Sequence, residues 1–205
     1  MITSETQARA FCEALCDKTA MARLDELSSA LAIENKQQNL VSAASLDTVW
    51  QRHIVDSLQL LKHVPRGTSP WLDLGTGAGF PGLAIAIARP DTELVLVESR
   101  ARRIDWLEGM IDRCGLENCR VEGRRLEHVE AFPARVISAR AFAPLERLLR
   151  LSGRFSTPDT VWLLPKGRSA AQELQEQPEK VRKMFHVEQS LTDEAAKILV
   201  GKGKA

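Results

Sequence analysis

A run of closely spaced glycines near the middle of the chain is the feature with the clearest chemical meaning. The segment reads DLGTGAGFPG from Asp73 to Gly82, and it joins the strand-like run Trp71–Leu74 to an apolar helical stretch that ends before Pro90. Glycine accepts positive φ and lets the backbone come close to a bound molecule. In α/β proteins, ligands bind at such a turn, outside the carboxyl end of a strand and beside a helix N-terminus. We therefore expect a ligand-binding loop.

Two cofactor patterns match this loop, and a third alternative is a turn that binds nothing. The dinucleotide pattern G-x-G-x-x-G is satisfied by Gly77, Gly79 and Gly82. That pattern begins at the first glycine after the strand, however, and counting from Gly75 puts its third glycine at Phe80. The pattern D-x-G-x-G-x-G, typical of Rossmann-like methyltransferases, fits in frame on Asp73, Gly75, Gly77 and Gly79. The loop therefore favours S-adenosylmethionine as the cofactor.

An acidic residue ends the next strand-like run of the chain. Glu98 follows Leu94–Val97, the position at which both cofactor classes place a carboxylate that accepts hydrogen bonds from ribose hydroxyls. Glu98 therefore supports an adenosine-containing ligand without distinguishing the two classes.

The remaining reactive side chains form no recognisable catalytic or metal-binding pattern. The cysteines have C-x3-C and C-x4-C spacings and no C-x-x-C, and the four histidines are scattered. We expect no metal site and no disulfide framework, and reduced thiols are typical of a cytoplasmic protein. His53 is better explained by packing than by catalysis.

Arginine is enriched in the central part of the chain. The formal net charge is only +1, but the residues from Arg100 to Arg154 include many arginines and no lysine. Arginine makes planar, bidentate contacts with phosphate and guanine, so the enrichment favours a nucleic-acid partner. Arginines 147, 150 and 154 have helical spacing and could follow phosphates, although a solvated helix face explains them equally well.

The composition of the sequence and the spacing of its apolar residues change near residue 65. Residues 1–64 contain neither glycine nor proline and show helical spacing of apolar residues, up to a last helix over Thr48–Val64. From Trp71 onward, short apolar runs alternate with helical stretches, which indicates βαβ units and a parallel sheet. Phe185–Leu191 and Ala196–Gly201 resemble a closing hairpin. No apolar run is long enough to span a membrane.

The predicted fold class is therefore α/β. We expect a Rossmann-like, mostly parallel sheet of seven strands that ends in an antiparallel hairpin. Residues 1–64 would form a helical extension or cap, and residues 65–205 the S-adenosylmethionine-dependent methyltransferase domain.

Several motifs together resemble the small-subunit ribosomal RNA methyltransferase G family, also called glucose-inhibited division protein B. They are the loop GTGAGFPG from Gly75, the segment NKQQNL from Asn35, the segment RHIVDSL from Arg52, ISARAFA from Ile137, and the Lys166-Gly167 pair. The resemblance covers about residues 30–170. It implies transfer of a methyl group from S-adenosylmethionine to N7 of one guanine in 16S ribosomal RNA, either free or in an assembling small ribosomal subunit.

The resemblance also implies roles for individual residues. Gly75 and Phe80 would line the cofactor, and Leu126 and Glu127 would meet its adenine. Arg140 would lie in the active site, with the cofactor role expected to dominate over contact with RNA. The candidates for reading the guanine edge are Arg140, Lys166 and Arg168. Guanine N7 already carries a lone pair, so we expect orientation by Arg140 and Lys166 rather than a general base.

Two alternatives to this function remain open at the level of the sequence. A methyltransferase of the same fold could act on a small molecule or a protein, and a non-enzymatic regulatory module could bind a nucleotide without transferring anything. We expect a monomer in either case.

Overall fold

One mixed sheet organises the chain, and the computed structural model describes all 205 residues. Its strands are β1 (Trp71–Leu74), β2 (Leu94–Val97), β3 (Cys119–Glu122), β4 (Val136–Ala139), β5 (Val161–Lys166), β6 (Phe185–Gln189) and β7 (Lys197–Lys202). They lie in the order β3-β2-β1-β4-β5-β7-β6. The first five strands are parallel, and β7 pairs antiparallel with both β5 and β6. The predicted fold class and closing hairpin are thus confirmed.

Helices cover both faces of the sheet. They are α1 (Glu5–Glu13), α2 (Lys18–Glu34), α3 (Ala43–Leu46), α4 (Asp56–Leu58), α5 (Gly82–Ala88), α6 (Ala101–Cys114), α7 (Leu145–Ser152), α8 (Ala170–Gln175) and α9 (Glu179–Arg182). Short 3₁₀ turns occupy Gln59–His63, Leu126–His128 and Gly153–Phe155. None of the helices has both the length and the apolar character needed to cross a membrane.

The side chains of the parallel strands alternate between two hydrophobic cores, because successive residues of a strand point to opposite faces. In β1, Trp71 packs with helices α1, α2, α5 and α6, whereas Leu72 and Leu74 pack with α7 and α8 on the other face. The N-terminal helices therefore share a core with the sheet. The predicted boundary after residue 64 falls in the connection between His63 and Trp71, and a separate extension remains a prediction.

The segment predicted as a helix over Thr48–Val64 is helical but unevenly wound. A π-helical turn over Trp50–Val55 leads into α4, and the 3₁₀ turn Gln59–His63 ends it. Side chains of the first two pieces are bonded to three different parts of the fold, and the wider turn accommodates those bonds. The partners are Arg52–Asp193, His53–Ser45 and Asp56–Arg140.

Helix α1 anchors the start of this segment. The Glu5 carboxylate accepts hydrogen bonds from the backbone N–H groups of Trp50, at 3.0 Å, and Gln51, at 2.8 Å. Both N–H groups lie in the first turn of the segment, where no preceding turn supplies carbonyl partners. The negative charge also suits the positive end of a helix.

We expect Glu5→Ala to lower the free energy of unfolding by about 1.5–3 kcal/mol, the usual value for hydrogen bonds to a charged group. Chemical denaturation measures the change. Glu13→Ala is the control, because Glu13 is exposed near the end of the same helix and should change the free energy by less than about 0.5 kcal/mol. Equal effects of the two substitutions would contradict the anchoring role.

Candidate active site

The glycine loop connects β1 to α5 in a conformation that needs glycine. Gly75, Gly77 and Gly79 have φ values of 61°, 58° and 100°. A Cβ at Gly79 would lie 2.4 Å from Leu83 Cδ1, and one at Gly75 would lie 2.6 Å from Phe142 Cδ2. The loop is thus closely covered at Gly75 and Gly79, as a ligand-binding turn after the first strand requires.

Asp73 holds this loop from beneath. Its carboxylate is fully buried; Oδ2 accepts a hydrogen bond from the Gly82 N–H at 3.0 Å, and Oδ1 accepts one from the Ser138 hydroxyl at 2.6 Å. Burial raises the pKa of Asp73 to about 6, against the opposing effect of these hydrogen bonds. Asp73 was predicted to bind the cofactor, and its place under the loop lets it act through the shape of the loop.

Glu98 ties the same loop to the beginning of α6. Its Oε2 accepts a hydrogen bond from the Gly77 N–H at 3.2 Å, and its Oε1 accepts bonds from Ser99 and Arg100 N–H at 2.7 and 3.0 Å. The side chain is largely buried and lines a cavity of about 250 Å³ together with Gly75. A carboxylate oxygen has two lone pairs, so Glu98 retains capacity to accept hydrogen bonds from a ligand in this cavity.

The turn Leu126–His128 forms another wall of the small cavity. Leu126 is buried and lines it, whereas Glu127 is exposed and is not part of the lining. Arg154 donates hydrogen bonds to the carbonyl oxygens of Leu126 and, at 2.6 Å, of Val129. Its guanidinium therefore supports this turn, a role that neither of the two alternatives left open for Arg154, phosphate contact or a solvated helix face, had included.

Arg140 lies just beyond β4, in a group of side chains that sequence reasoning did not assemble. Its Nη1 is 3.4 Å from Asp56 Oδ2, and its Nη2 is 3.2 Å from His53 Nδ1. The guanidinium carbon lies 5.4 Å from the centre of the Phe80 ring, on which His53 also stacks at 5.1 Å. Phe80 is buried and lines neither the cavity at Glu98 nor the larger one beyond Arg140, so its ring supports Arg140, and its predicted contact with a cofactor stays a prediction.

The contacts of His53 determine its tautomer. A guanidinium can only donate, so His53 Nδ1 accepts from Arg140, and Nε2 carries the proton and donates to Ser45 Oγ at 2.9 Å. Burial, with Arg140 and Arg52 nearby, lowers the pKa of His53 to about 3. His53 is therefore a neutral residue that positions Arg140.

A larger cavity, of about 1050 Å³, opens on the other side of Arg140. Four cations line its wall; Lys197 donates a hydrogen bond to Gln189 Oε1, and each of the other three is paired with a carboxylate. The pairs are Arg52–Asp193 at 2.9 Å, Arg140–Asp56 at 3.4 Å and Lys166–Glu173 at 2.8 Å. The connection between β6 and β7 supplies the far wall, through residues such as Thr192. Arg168 is exposed beyond Gly167 and is not part of the lining.

The two cavities meet at one place in the molecule. Ala141 and Phe142, in the connection between β4 and α7, line both of them. The Arg140 side chain lines only the larger cavity, and the glycine loop contributes Gly75 only to the smaller one. The site therefore consists of two chambers with a shared boundary.

Sequence reasoning missed the carboxylates that hold the cations. Asp56 stands four residues after Arg52 and three after His53, a helical spacing that could have placed all three on one side. Glu173 has no comparable signal, because its bonds to Lys166 and to the Leu145 N–H form only in the folded chain. Phe142 entered the sequence analysis only as part of the ISARAFA motif, with no predicted role of its own.

A pH dependence of stability follows from the neutral His53. The unfolded chain binds a proton near pH 6.5, whereas the folded chain resists protonation down to about pH 3, so stability is present above pH 6.5 and falls below it. His53→Gln keeps an acceptor for Arg140 and a donor for Ser45. Between about pH 7.5 and about pH 5.5, we expect the unfolding free energy of the wild type to fall by about 1 kcal/mol more than that of the variant.

Denaturant titrations at the two pH values measure this difference. Asp73 has a raised pKa of about 6, so its contribution to stability changes in the opposite direction, rising as the pH falls. It does so in both proteins and cancels in the comparison. Equal losses in the two proteins would contradict a neutral, buried His53.

Solved structures share this architecture. An S-adenosylmethionine-dependent methyltransferase from Aquifex aeolicus superposes with a TM-score of 0.59 at 11% identity, over 82% of this chain and 96% of that chain. A fibrillarin/Nop5p complex gives a TM-score of 0.58 at 12% identity, over 75% of this chain and 82% of that chain. At such low identity these likenesses concern the fold alone.

Sequence relatives are much closer. A protein of Erythrobacter litoralis, named ribosomal RNA small subunit methyltransferase G, is 61% identical over 100% of this chain and 99% of its own length. A protein of the same name from Novosphingobium aromaticivorans is 53% identical over 98% of this chain and 89% of its own length. The family model described as rRNA small subunit methyltransferase G matches residues 20–199. The chain therefore belongs to the ribosomal RNA small subunit methyltransferase G family.

Proposed function

We propose that this protein transfers a methyl group from S-adenosylmethionine to N7 of one guanine in 16S ribosomal RNA. The observation that carries the proposal is the pair of chambers that meet at Ala141 and Phe142. The smaller chamber has the size and the loop of a nucleoside-type cofactor site. The larger one presents cations to a partner that is too large to be enclosed.

The residues of the smaller chamber fit the proposed cofactor. Glu98 would accept hydrogen bonds from its ribose hydroxyls, and the backbone at Gly75 would lie beside its methionine part. Leu126 would meet the adenine, and the exposed Glu127 carboxylate, next to it in the chain, would accept a hydrogen bond from the exocyclic amine. Asp73 would act indirectly, by holding the loop through the Gly82 N–H.

The chemistry asks little of the protein beyond orientation. When bound, S-adenosylmethionine supplies a methyl group on a positively charged sulfur, which retains the bonding electron pair as the methyl leaves. Guanine N7 has a free lone pair and no proton to lose, so no general base is needed. The chain's task is to hold N7 in line with the methyl group, and such alignment lowers barriers by up to about 7–11 kcal/mol in favourable cases.

The larger chamber supports an RNA-side role for Arg140 and Lys166. The initial expectation gave Arg140 mainly to the cofactor, but its guanidinium lines only the larger chamber. Guanine presents O6 beside N7, and arginine or lysine can donate to O6 while the N7 lone pair stays free to accept the methyl group. We therefore assign Arg140 and Lys166 to the target guanine and its phosphates, and Arg168 to RNA at the mouth of the chamber.

The decisive experiment compares ribosomal RNA from cells with and without this protein. Mass mapping should show one 7-methylguanine in the 16S ribosomal RNA of cells that contain the protein, and an unmodified guanine at that position in cells that lack its gene. Transfer of labelled methyl groups by the purified protein to free 16S RNA and to assembling small subunits then identifies the preferred substrate. Transfer only to protein or small molecules would support the first alternative, and cofactor binding without any transfer would support a regulatory module.

We further propose that the protein acts as a monomer in the cytoplasm. All four cysteines are free thiols, which is compatible with a reducing compartment.

The cofactor site is tested by Gly77→Ala. A Cβ at Gly77 would meet no atom closer than Arg103 Nη1 at 3.6 Å, so the folded loop has room for it. We expect calorimetry to show S-adenosylmethionine affinity reduced by about tenfold or more, because the methyl group would enter the space that the ligand approaches.

Gly67→Ala is the matched control for this change. Gly67 also has a positive φ, of 72°, and has no atom within 4 Å of an added Cβ. Both variants thus carry similar backbone strain, of about 1–2 kcal/mol, and only the change at Gly77 should alter cofactor affinity. Equal affinities in the two variants would argue against this loop as the cofactor site.

The turn Leu126–His128 would contact the adenine, and Arg154→Met tests how the support of this turn affects cofactor binding. The substitution removes the hydrogen bonds to the carbonyl oxygens of Leu126 and Val129. We expect the dissociation constant for S-adenosylmethionine to rise about 5–10-fold, since the turn loses its fixed position. Arg150→Met, on the exposed side of α7, should leave the constant unchanged. If Arg154→Met binds the cofactor as tightly as the wild type, this turn does not contact it.

A further inference from the structure

Phe142 occupies the boundary between the two chambers. Its ring packs against the glycine loop so closely that a Cβ at Gly75 would lie 2.6 Å from Phe142 Cδ2. The side chain is half-buried and lines both cavities. The large apolar side chain of Phe142 is therefore accessible from the larger chamber, in which we propose that the RNA binds.

The ring of Phe142 has no aromatic neighbour within the protein. The aromatic pairs of the fold are His53–Phe80, Phe132–Phe155 and Trp162–Phe185. Most large aromatic side chains of this chain are buried or paired, and Phe142 is neither. The ring is thus partly exposed and has no stacking partner within the protein.

The backbone around Phe142 is fixed from both sides. Ala141 has a φ of 53°, a conformation that residues with a side chain rarely adopt and that costs free energy. The Ala143 carbonyl accepts a hydrogen bond from Lys166 Nζ at 3.2 Å, and the Leu145 N–H donates one to Glu173 Oε2 at 3.2 Å. Strain retained in a held segment indicates that the position of the ring matters.

The proposed reaction requires a base at this boundary. The methyl donor would lie in the small chamber and the RNA in the large one, so the accepting ring must reach the place where they meet. A base does this only after leaving the stack of its neighbours, which costs free energy. Proteins offset that cost by offering an aromatic face for the unstacked base.

We propose that the ring of Phe142 is the surface on which the unstacked target base rests while its N7 faces the methyl donor. The inference rests on the proposed function and adds the substrate contact that the reaction needs. Stacking on phenylalanine does not distinguish one base from another, because every base has a π face. Phe142 would thus govern the rate of transfer, and the donors Arg140 and Lys166 would govern the choice of guanine.

Single-turnover methyl transfer to ribosomal RNA, with saturating cofactor, tests the proposal in the full-length protein. We expect Phe142→Leu to lower the maximum rate about tenfold or more, and Phe142→Trp to stay within about threefold of the wild type, because tryptophan restores a stacking face. Cofactor affinity of both variants, measured by calorimetry, should fall by much less than the transfer rate, since Phe142 is one of several residues that line the smaller chamber. Thermal unfolding verifies that each variant is folded.

Phe132→Leu is the control, because Phe132 is also half-buried but lines neither cavity; its transfer rate should match that of the wild type. A wild-type rate in Phe142→Leu overturns the proposal. So does a loss of cofactor affinity in proportion to the rate, which would assign the ring to the cofactor site, or a failure of tryptophan to restore the rate. A wild-type protein that binds the cofactor but methylates no ribosomal RNA would instead overturn the proposed function, and this inference with it.

Discussion

The buried carboxylate of Asp73 is the interaction on which the rest of the site depends. It joins the ends of two strands and the first residue of a helix, through the Ser138 hydroxyl on β4 and the Gly82 N–H at the start of α5. Ser138 in turn accepts a hydrogen bond from the Trp71 indole at 2.8 Å. Gly82 can come this close only because it lacks a side chain, since a Cβ there would lie 2.8 Å from the carboxylate and 2.2 Å from Leu96. Removing the charge from water is costly, and the hydrogen bonds offset that cost.

Three of the five residues from Ser138 to Phe142, at the end of β4, each have a separate role. Ser138 points inward and bonds to Asp73, Arg140 faces the larger chamber, and Phe142 separates the two chambers. The positive φ of Ala141 turns the chain between the last two. Because these groups follow one another on one strand end, a displacement of the glycine loop would also displace the residues that line the larger chamber. The neutrality of His53 matters for the same reason, since a protonated ring could not accept a hydrogen bond from Arg140.

Patterns local in sequence predicted the fold well. The glycine loop, the β-rich segments and the closing hairpin each depend on the types of residues that are neighbours in the chain, and the structure contains all three. The uneven winding of Trp50–His63 was not predictable, because it results from bonds to Ser45, Asp193 and Arg140 that form only in the folded chain. The same holds for Arg154, whose spacing matched a solvated helix face although its guanidinium binds carbonyl oxygens 25 and 28 residues away. Charge and spacing reveal which groups are available, whereas tertiary packing decides which partners satisfy them.

The connection between β6 and β7 forms one wall of the larger chamber, and this affects the order in which the parts of the site can form during synthesis. This connection is tied to the beginning of the chain, through the Ile2 N–H and Gln51 side chain, which donate to the carbonyl oxygens of Leu191 and Thr192. Strand β7 also inserts between β5 and β6. A nascent chain could complete the glycine loop and its small chamber well before these residues leave the ribosome. The wall of the larger chamber is complete only when the last strand docks, so a chain that stalls before β7 would lack one side of that chamber.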